Sequence, residues 1–462
     1  MRPTAQGRAL PAETVFITVK LGVRTMKKPQ LILALTAAGV LSLPGIACAG
    51  EVEDLKAMLL KMQARIEQLE NRPVAAAPVA AAAPAPALNP ADVVTRGSMP
   101  GSFKVPGTET SIKFGGYVQL DAIYDIKGNQ GRAVSAGDIA LDGSADAKRK
   151  GTTTFSARTS RINMQTATPS ELGEIKTKIE FDFFTDEGSE TYTNSARPRL
   201  RHAYGTVGNW LAGQTWSNFM DLDAMPETLE FNGPTGQVFI RQPQLRYTTA
   251  IGSASQFSVS VENPQTDARD NGGNVTAIDR GADLTAKWQH SGDYGHFNVR
   301  ALMRPLKADD GNGDHRASTN GWALGVGGSL KLGANDTVLY QLNGGQGIGR
   351  YIQDVYGAAA YDASTGTLSA QKAAGGYLAL QHFWNTVLRT TVSLNATHIN
   401  NKTGFGDITG LNTDTRQVHA NLIWKAASQL DVGMEYVWSQ RKVEGGAEGT
   451  SSRVQGAVKY NF

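Results

Sequence analysis

Arginines are the residues of this sequence whose type and spacing point most directly to chemistry. Arg199 and Arg201 stand two residues apart and Arg300 and Arg304 four apart, within stretches where polar and apolar residues alternate. A guanidinium stays charged and offers a planar fork that matches a carboxylate with two hydrogen bonds. Arginines gathered on one face of a sheet would therefore bind small anions. The candidates are Arg161, Arg199, Arg201, Arg241, Arg246, Arg300, Arg304 and Arg389.

No pattern for covalent or metal chemistry accompanies these arginines. The chain has one Cys and seven scattered His, without His-Glu-x-x-His or a nucleophile-elbow Gly-x-Ser-x-Gly. Residues 310–314 imitate the start of a calcium loop, but His315 and Gly321 stand where such a loop needs Gly and Glu. We predict no enzyme activity, no metal and no cofactor. The net charge of +3 gives no support for nucleic-acid binding either.

The elements that must carry the arginines are β-strands. From about residue 111 the sequence consists of stretches of about ten residues in which apolar and polar side chains alternate, bounded by Gly, Asn, Asp or Ser. In the last stretch Val454, Gly456, Val458, Tyr460 and Phe462 share one face. Several apolar faces end in Trp or Tyr, as expected where strands cross a membrane–water interface. This pattern predicts an all-β fold with a lipid-facing side.

The lengths of the connections between the predicted strands make this prediction more specific. Eight long connections lie near residues 126–151, 185–196, 217–236, 263–280, 305–319, 345–370, 400–412 and 441–450, and seven tight turns separate them. Long loops on one side, short turns on the other and about 16 antiparallel strands define a bacterial outer-membrane β-barrel, here over residues 103–462. Both termini of the barrel are then periplasmic, and Phe462 fits the aromatic C-terminal signal of such barrels.

The N-terminal region reads as an export signal. Lys27 and Lys28 precede the apolar run 31–46, and Ala47-Cys48-Ala49 follows it, so residues 26–49 form a predicted signal peptide. A lipoprotein signal ending at Cys48 is the alternative, disfavoured by Gly45. Residues 1–25 fit neither a signal nor a domain, and we interpret them as an over-extended reading frame.

Residues 50–72 carry a heptad pattern that predicts a short trimeric coiled coil in the periplasm. The alternative is a solvated amphipathic helix. An Ala/Pro-rich linker follows over residues 73–102, where repeated prolines favour extended chain. The predicted coiled-coil core is Val52, Leu55, Leu59, Met62, Ile66 and Leu69.

Strand phase assigns side chains to the barrel interior. The candidate arginines and Lys287, Lys425 and Lys459 face inward, although Arg158 and Arg161 cannot both do so on one regular strand and Pro243 leaves Arg241 uncertain. His202 is expected to face outward or to lie near the girdle. These cations could instead pair with neighbouring acids and only satisfy the lumen. The third long loop is predicted to fold inward as a constriction, carrying Asp221, Asp223 and Glu227 toward the wall.

The chain resembles the DcaP-like porins, a family of trimeric outer-membrane channels. The resemblance runs from Val52 to Phe462 and rests on short strings at residues 102–108, 112–117, 199–205, 213–217 and 226–231. It implies a sixteen-stranded barrel, a periplasmic N-terminal coil and uptake of negatively charged small molecules such as dicarboxylates. The N-terminal 25 residues depart from that pattern.

The predicted function is therefore passive, anion-selective diffusion of small organic acids into the periplasm. The expected partners are two further copies of the chain, outer-membrane lipid and lipopolysaccharide, small anionic solutes and the barrel-assembly machinery. Two alternatives remain at this stage. One is a tethering or adhesive barrel without significant conductance, and the other is an outer-membrane lipase or protease, which the strand count and the missing triad disfavour.

Overall fold

The computed structural model describes residues 57–58, 60–65, 67–68, 93–186, 188–270, 275–402 and 407–462. The chain divides into two units, Met1–Ala87 and Leu88–Phe462. Within the first unit, the described residues 57–58, 60–65 and 67–68 are helical and exposed. Met62 is the one predicted coiled-coil core residue among them, so the coil stays a prediction. The predicted signal peptide, the extension at 1–25 and most of the linker lie outside the described residues.

The described part of the second unit forms a closed barrel of sixteen antiparallel strands, as predicted. Its bounds are β1 Ser111–Lys127, β2 Thr152–Ser156 continued by Arg161–Ser170, β3 Gly173–Asp182, β4 Arg199–Val207, β5 Trp210–Trp216, β6 Arg241–Ile251, β7 Ser255–Glu262, β8 Asp283–Gly292, β9 Gly295–Asp309, β10 Ala317–Leu332, β11 Asp336–Gln346, β12 Lys372–Phe383, β13 Leu388–Asn400, β14 Asn412–Ala427, β15 Leu430–Val443 and β16 Glu448–Asn461.

Each strand pairs with its neighbour in sequence, and β16 returns to pair with β1. The closing ladder runs from the pair Tyr117 and Asn461 to the pair Lys127 and Ser452, with a bulge between Asp125 and Lys127. Closure leaves no unpaired sheet edge, which is the condition for a β-structure to sit in lipid. No helix among the described residues is long and apolar enough to span a membrane.

Connection lengths alternate as the sequence predicts. The eight long loops, numbered L1 to L8, span residues 128–151, 183–198, 217–240, 263–282, 310–316, 347–371, 401–411 and 444–447. L8 is shorter than expected, because β15 and β16 extend to Val443 and from Glu448 and leave only four residues between them. The seven turns at the other end hold two to four residues each.

The outer surface is apolar and the interior is polar, the reverse of a soluble protein. Leu324, Leu342 and Leu378 are each more than half exposed on the outside, while Asn298, Ser393 and Ser439 are fully buried inside. Aromatic residues such as Trp210 and Trp424 flank the apolar belt near the short turns. Side chains alternate between the two faces because successive residues of a strand point to opposite sides.

Long loops fill one side of the interior. L3 and L6 pack together in a hydrophobic core against β9, β10, β12 and β13. L6 also forms a three-stranded sheet from Ala359–Asp362, Thr367–Ala370 and the segment Ala268–Arg269 of L4. This core lies inside the barrel wall, so the loops narrow the lumen from that side.

The depth of a residue on the lipid face should set the cost of charging it. Leu324→Arg, in the middle of β10, should lower the free energy of unfolding by about 2–4 kcal/mol, because the guanidinium enters hydrocarbon. Asn320→Arg lies on the same face of the same strand, four residues nearer the long loops, and should cost no more than about 1 kcal/mol. Denaturant titration in lipid vesicles measures both, and equal costs would contradict the membrane depth assigned to β10.

Candidate functional site

L3 crosses the interior attached to the barrel wall at many points. Near its start the carbonyl oxygen of Phe219 accepts a hydrogen bond from Arg300 (3.0 Å), and Asp221 accepts one from Asn298 (2.6 Å). Further along, Tyr377 donates its hydroxyl hydrogen to the carbonyl of Ala224 (2.9 Å). These contacts fix the loop to β9 and β12. L3 therefore follows the wall as an inner layer.

The middle of L3 is held by charged side chains. Arg389 of β13 donates two hydrogen bonds to the Glu227 carboxylate, at 2.6 and 2.7 Å. Glu435 of β15 accepts the backbone N–H groups of Leu229 (2.8 Å) and Glu230 (3.1 Å). A charged carboxylate forms stronger hydrogen bonds than a neutral acceptor, especially when buried. The wall thus supplies the groups that shape the loop.

Two of the three predicted constriction residues are anchors. Burial alone would raise the pKa of the Asp221 carboxyl, but the hydrogen bond and charge of His296, together with Arg300, hold that pKa below its usual value. Glu227 pairs with Arg389, and Asp223 is exposed beside Gln289. Asp221, Asp223 and His296 could approach one metal ion. Both nitrogens of His296 already bond Asp221 and Ser329, however, so the group serves as a loop clamp.

A close approach of backbone to backbone completes the attachment of L3. Gly236 has a φ of +79°, and a Cβ there would lie 2.2 Å from the carbonyl oxygen of Ala396 in β13. Only glycine adopts this conformation freely and leaves room for the wall. L3 can therefore lie directly on β12 and β13 at this point.

A cluster of cations lies on the wall, and none of its side chains is hydrogen-bonded to a described residue of L3. We call it the basic wall, and it comprises Arg161, Lys178, Arg199, Arg201, Arg241 and Lys459, carried by β2, β3, β4, β6 and β16. Two carboxylates, Glu180 and Asp182, lie among these six cations. The cluster therefore has an excess of four positive charges.

The two carboxylates are used by only part of the basic wall. Asp182 accepts two hydrogen bonds from Arg199, both 2.8 Å, and one from Arg201 (2.6 Å). Glu180 accepts a hydrogen bond from Arg201 (3.0 Å) and forms an ion pair with Lys178 (2.9 Å). Its closest distance to Arg161 is 3.9 Å. Arg201 is only 1% exposed. It therefore organises the two carboxylates from behind the accessible cations.

Aromatic rings hold the remaining cations in place. The Arg241 guanidinium lies 4.4 Å from the centre of the Trp216 ring, and the Lys459 ammonium lies 4.3 Å from that of Tyr117. Arg161 also lies over Tyr117, at 5.3 Å. Such contacts favour a cation without neutralising it. Neither Arg241 nor Lys459 donates a side-chain hydrogen bond to another described residue.

A bulge explains how β4 delivers so many groups to the interior. The pairing of β3 with β4 shifts register between Glu180 and Phe181, which leaves Arg201 as an extra residue. Arg199, Arg201 and His202 therefore all lie inside, and His202 bonds Thr215 at 3.0 Å. The prediction that His202 faces outward is wrong, because strict alternation fails at a bulge.

A break in β2 resolves the conflict between Arg158 and Arg161. Residues 157–160 separate its two segments, so the two arginines do not belong to one regular strand. Arg158 reaches the carbonyls of Thr185 and Ser195 in L2 and is only 8% exposed. Arg161 joins the basic wall.

The remaining candidate arginines differ in how deeply they are buried. Arg300 and Arg304 point inward as predicted, but they are 0% and 1% exposed because L3 and L6 cover them. Arg304 donates to Asp283 and to the carbonyls of Gly347 and Ile348. This burial contradicts a pore-lining position for these two, which anchor loops instead. Arg246 is partly buried against Gln244 and the Trp216 carbonyl, and Arg389 holds Glu227.

Several residues of the site have no signal in the strand pattern. Trp216, Tyr117 and Phe231 gain their positions only when the barrel closes and L3 folds in; Phe231 lies 5.4 Å below the Arg199 guanidinium. Glu230 and Glu435 look like ordinary acidic residues in the sequence. Their alternation or loop position gives no hint that they bond backbone amides.

Glu230 makes the attachment of L3 dependent on pH. Its carboxylate oxygens accept the N–H groups of Val134 in L1 (2.7 Å) and Gly233 in L3 (2.8 Å). Burial raises the pKa of Glu230 to about 7, from 4.5, despite the charges of His419 and Arg453. Since the folded-state pKa is raised, the contribution of this group is full below about pH 4.5 and declines as the pH rises through about 7.

Hydrogen exchange of the L3 amides at residues 229–233, corrected for the intrinsic rate, should report this change. Between pH 6 and pH 8 the protection of these amides should fall about tenfold, because pH 8 lies one unit above the pKa of Glu230 and its carboxyl group is then mostly ionised. Glu230→Gln should abolish the dependence, whereas Asp142→Asn, which removes an exposed carboxylate from L1, should keep it. Unchanged wild-type protection across this range would contradict the role assigned to Glu230.

Comparison with known proteins agrees with this architecture. The family model of the DcaP outer membrane protein matches residues 86–462. The crystal structure of the outer membrane channel DcaP of Acinetobacter baumannii is 25% identical; the match covers 80% of this chain and 100% of that one, with a TM-score of 0.69. Salmonella typhi OmpF in complex with daunomycin shares the fold at 11% identity, over 76% of this chain and 98% of that one, with a TM-score of 0.50. A search of curated proteins finds no match.

The match of the family model covers the whole barrel, including the strands of the basic wall and all of L3. It agrees with the resemblance seen in the sequence and with the closed sixteen-stranded sheet. The chain therefore belongs to the DcaP outer membrane protein family, a family of outer-membrane porin channels.

Proposed function

We propose that this protein is a trimeric, anion-selective porin through which small organic acids, such as dicarboxylates, diffuse into the periplasm. The observation that carries the proposal is the excess of positive charge on the basic wall. Arg241 and Lys459 lie beside aromatic rings and form no ion pair with a carboxylate of the described residues, and Arg161 reaches Glu180 only at 3.9 Å. The heptads at residues 52–69 support the trimer.

The electrostatics favour an anion over a cation at this point of the lumen. A unit charge about 7 Å from a permeating ion contributes about 0.6 kcal/mol even in a water-like dielectric, and more in the narrowed interior. The potentials of several cations add, and the low-dielectric protein around the space between them focuses the resulting field. Arg161 and Arg199 retain 28% and 34% side-chain exposure, so a solute can reach them.

The guanidinium groups also suit the chemistry of a carboxylate. Arg161 and Arg241 each have a buried N–H donor without a hydrogen-bond partner, at Nε and Nη1 respectively. These two atoms are buried, so a passing carboxylate would bond the exposed part of a guanidinium, as on Arg161, whose side chain is 28% exposed. A dicarboxylate could contact two cations of the basic wall at once, which favours it over a monovalent ion. The acids of L3 are hydrogen-bonded on β9 and β13, where Asn298 and Arg389 are their partners.

The selectivity of single channels tests the proposal. Purified protein in a planar bilayer under a salt gradient should show steps in groups of three and a reversal potential that indicates preference for anions. Arg241→Gln should lower the anion-to-cation permeability ratio up to about sevenfold, because the lost charge attracts the anion and repels the cation by about 0.6 kcal/mol each. Lys148→Gln removes the same charge from an exposed part of L1 and should leave the ratio nearly unchanged.

The other outcomes of this conductance experiment discriminate between the possible functions of the barrel. Cation preference in the wild-type protein would overturn the role of the basic wall and leave only a porin of another selectivity. Absence of any conductance would favour the tethering or adhesive barrel. That second candidate is supported by the extent to which L3 and L6 fill the interior with a buried core.

A further inference from the structure

A groove on the outside of the barrel is distinct from the lumen. It lies on β11 to β15 and has a volume of about 730 Å³. Its floor is made of small residues that are cross-strand neighbours: Gly376 on β12 pairs with Ala396 on β13, and Ala374 lies one pair nearer the long loops. Large side chains in the surrounding positions form the rim. The groove is therefore a product of side-chain size on an otherwise continuous sheet.

The rim of the groove is apolar toward the middle of the barrel. Leu342 borders the floor on one side, since it pairs with Gly376. On the next row toward the short turns lie Leu394 and Val418, with Trp438 beyond them. Leu342 and Leu394 are 61% and 57% exposed, so they project into the surroundings. Such an apolar trough suits a hydrocarbon chain.

The end of the groove nearest the long loops is charged. Arg416 occupies the same row as Ala396, and its guanidinium makes no hydrogen bond or ion pair with another described residue. One row higher, His398 bonds Asp414 at 3.0 Å. Lys442 lies opposite Asp414 and pairs with Glu448 at 3.3 Å. Arg416 and Lys442 also line a second hollow of about 280 Å³ that adjoins the groove, together with Asp414, Gln440 and Glu448.

The direction of the barrel tells which leaflet faces this charged end. The charged rows lie where β13 leads into L7 and β14 leaves it, and the long loops of such barrels are extracellular. Trp438, just below, is the kind of aromatic residue that marks the interface. The charged rows therefore face the headgroups of the outer leaflet, and the apolar row of Leu394, Val418 and Trp438 lies one row nearer its acyl chains.

We infer that this groove binds lipopolysaccharide, with one acyl chain of the lipid A part in the trough and a phosphate at Arg416 and Lys442. Arginine and lysine are the side chains that bind phosphate best, and the N–H donors of Arg416 make no hydrogen bond to another described residue. Basic pockets on membrane proteins commonly hold anionic lipid headgroups. A second copy of the chain would fit less well, because it would bury the Arg416 guanidinium, which has no hydrogen-bond partner among the described residues, against an identical apolar surface.

Binding of defined lipids to the purified protein tests this inference. Native mass spectrometry of the full protein with lipid A should show retained lipid, and lipid A without phosphates should bind at least about tenfold more weakly, as expected for loss of charge-assisted hydrogen bonds. Arg416→Gln should weaken lipid A binding about tenfold and leave the dephosphorylated form unaffected. Ala396→Phe fills the trough and should weaken binding of both forms.

Matched controls separate the groove from general effects on the barrel. Lys307→Gln removes a cation at the loop end of β9, outside the groove, and Ala212→Phe enlarges an exposed alanine on β5; both should bind lipid A as wild type does. Wild-type affinity in Arg416→Gln and Ala396→Phe would overturn the inference. So would equal binding of phosphatidylglycerol, or loss of the oligomer in Ala396→Phe, which would make the groove a subunit contact. Failure of the anion-selectivity experiment would not affect this result.

Discussion

Every backbone N–H and C=O group that enters hydrocarbon needs a partner within the protein, because lipid offers none. In this chain the closing ladder between β1 and β16 meets that requirement, since it removes the last open edge of the sheet. Closure then fixes which side chains face lipid and which face the interior. The apolar outer belt and the polar interior both follow from it, and so does the confinement of the long loops to one end.

The interior of a barrel of this size is too wide for wall side chains to fill, and the loops occupy part of it. They do so on one side, because L3 and L6 bury their apolar residues against β9 to β13. Buried polar groups then need partners, and Glu435, Arg300 and Arg304 supply them to loop backbone. These inward-facing charges thus stabilise the loops instead of facing solute.

The basic wall is what remains when those partners are accounted for. Its carboxylates, Glu180 and Asp182, are consumed by Arg199, Arg201 and Lys178, which leaves the other cations supported by aromatic rings. A bulge at Arg201 and a break in β2 bring these groups together. Irregularities in two strands therefore produce a charge density that regular alternation would not.

The sequence alone determined that the chain folds as a membrane β-barrel. The number of strands, the alternation of long and short connections and the lipid-facing side all follow from local patterns. Period-two alternation is a property of each strand, so residues such as Leu394 and Val458 could be assigned outward without knowledge of the fold. The inward direction of Arg300 and Arg304 was predicted for the same reason. Their burial was not, because the covering loops are far away in sequence.

Tertiary structure alone decided which charges stay accessible. Glu230, Asp221 and Glu435 bond partners that are 96, 75 and 206 residues away, and no local pattern encodes such contacts. The displaced register at Arg201 and the ring of Trp216 beneath Arg241 also appear only once neighbouring strands and L3 are in place. The physical reason is that alternation fixes the face of a side chain, whereas its charge environment depends on everything that packs against that face.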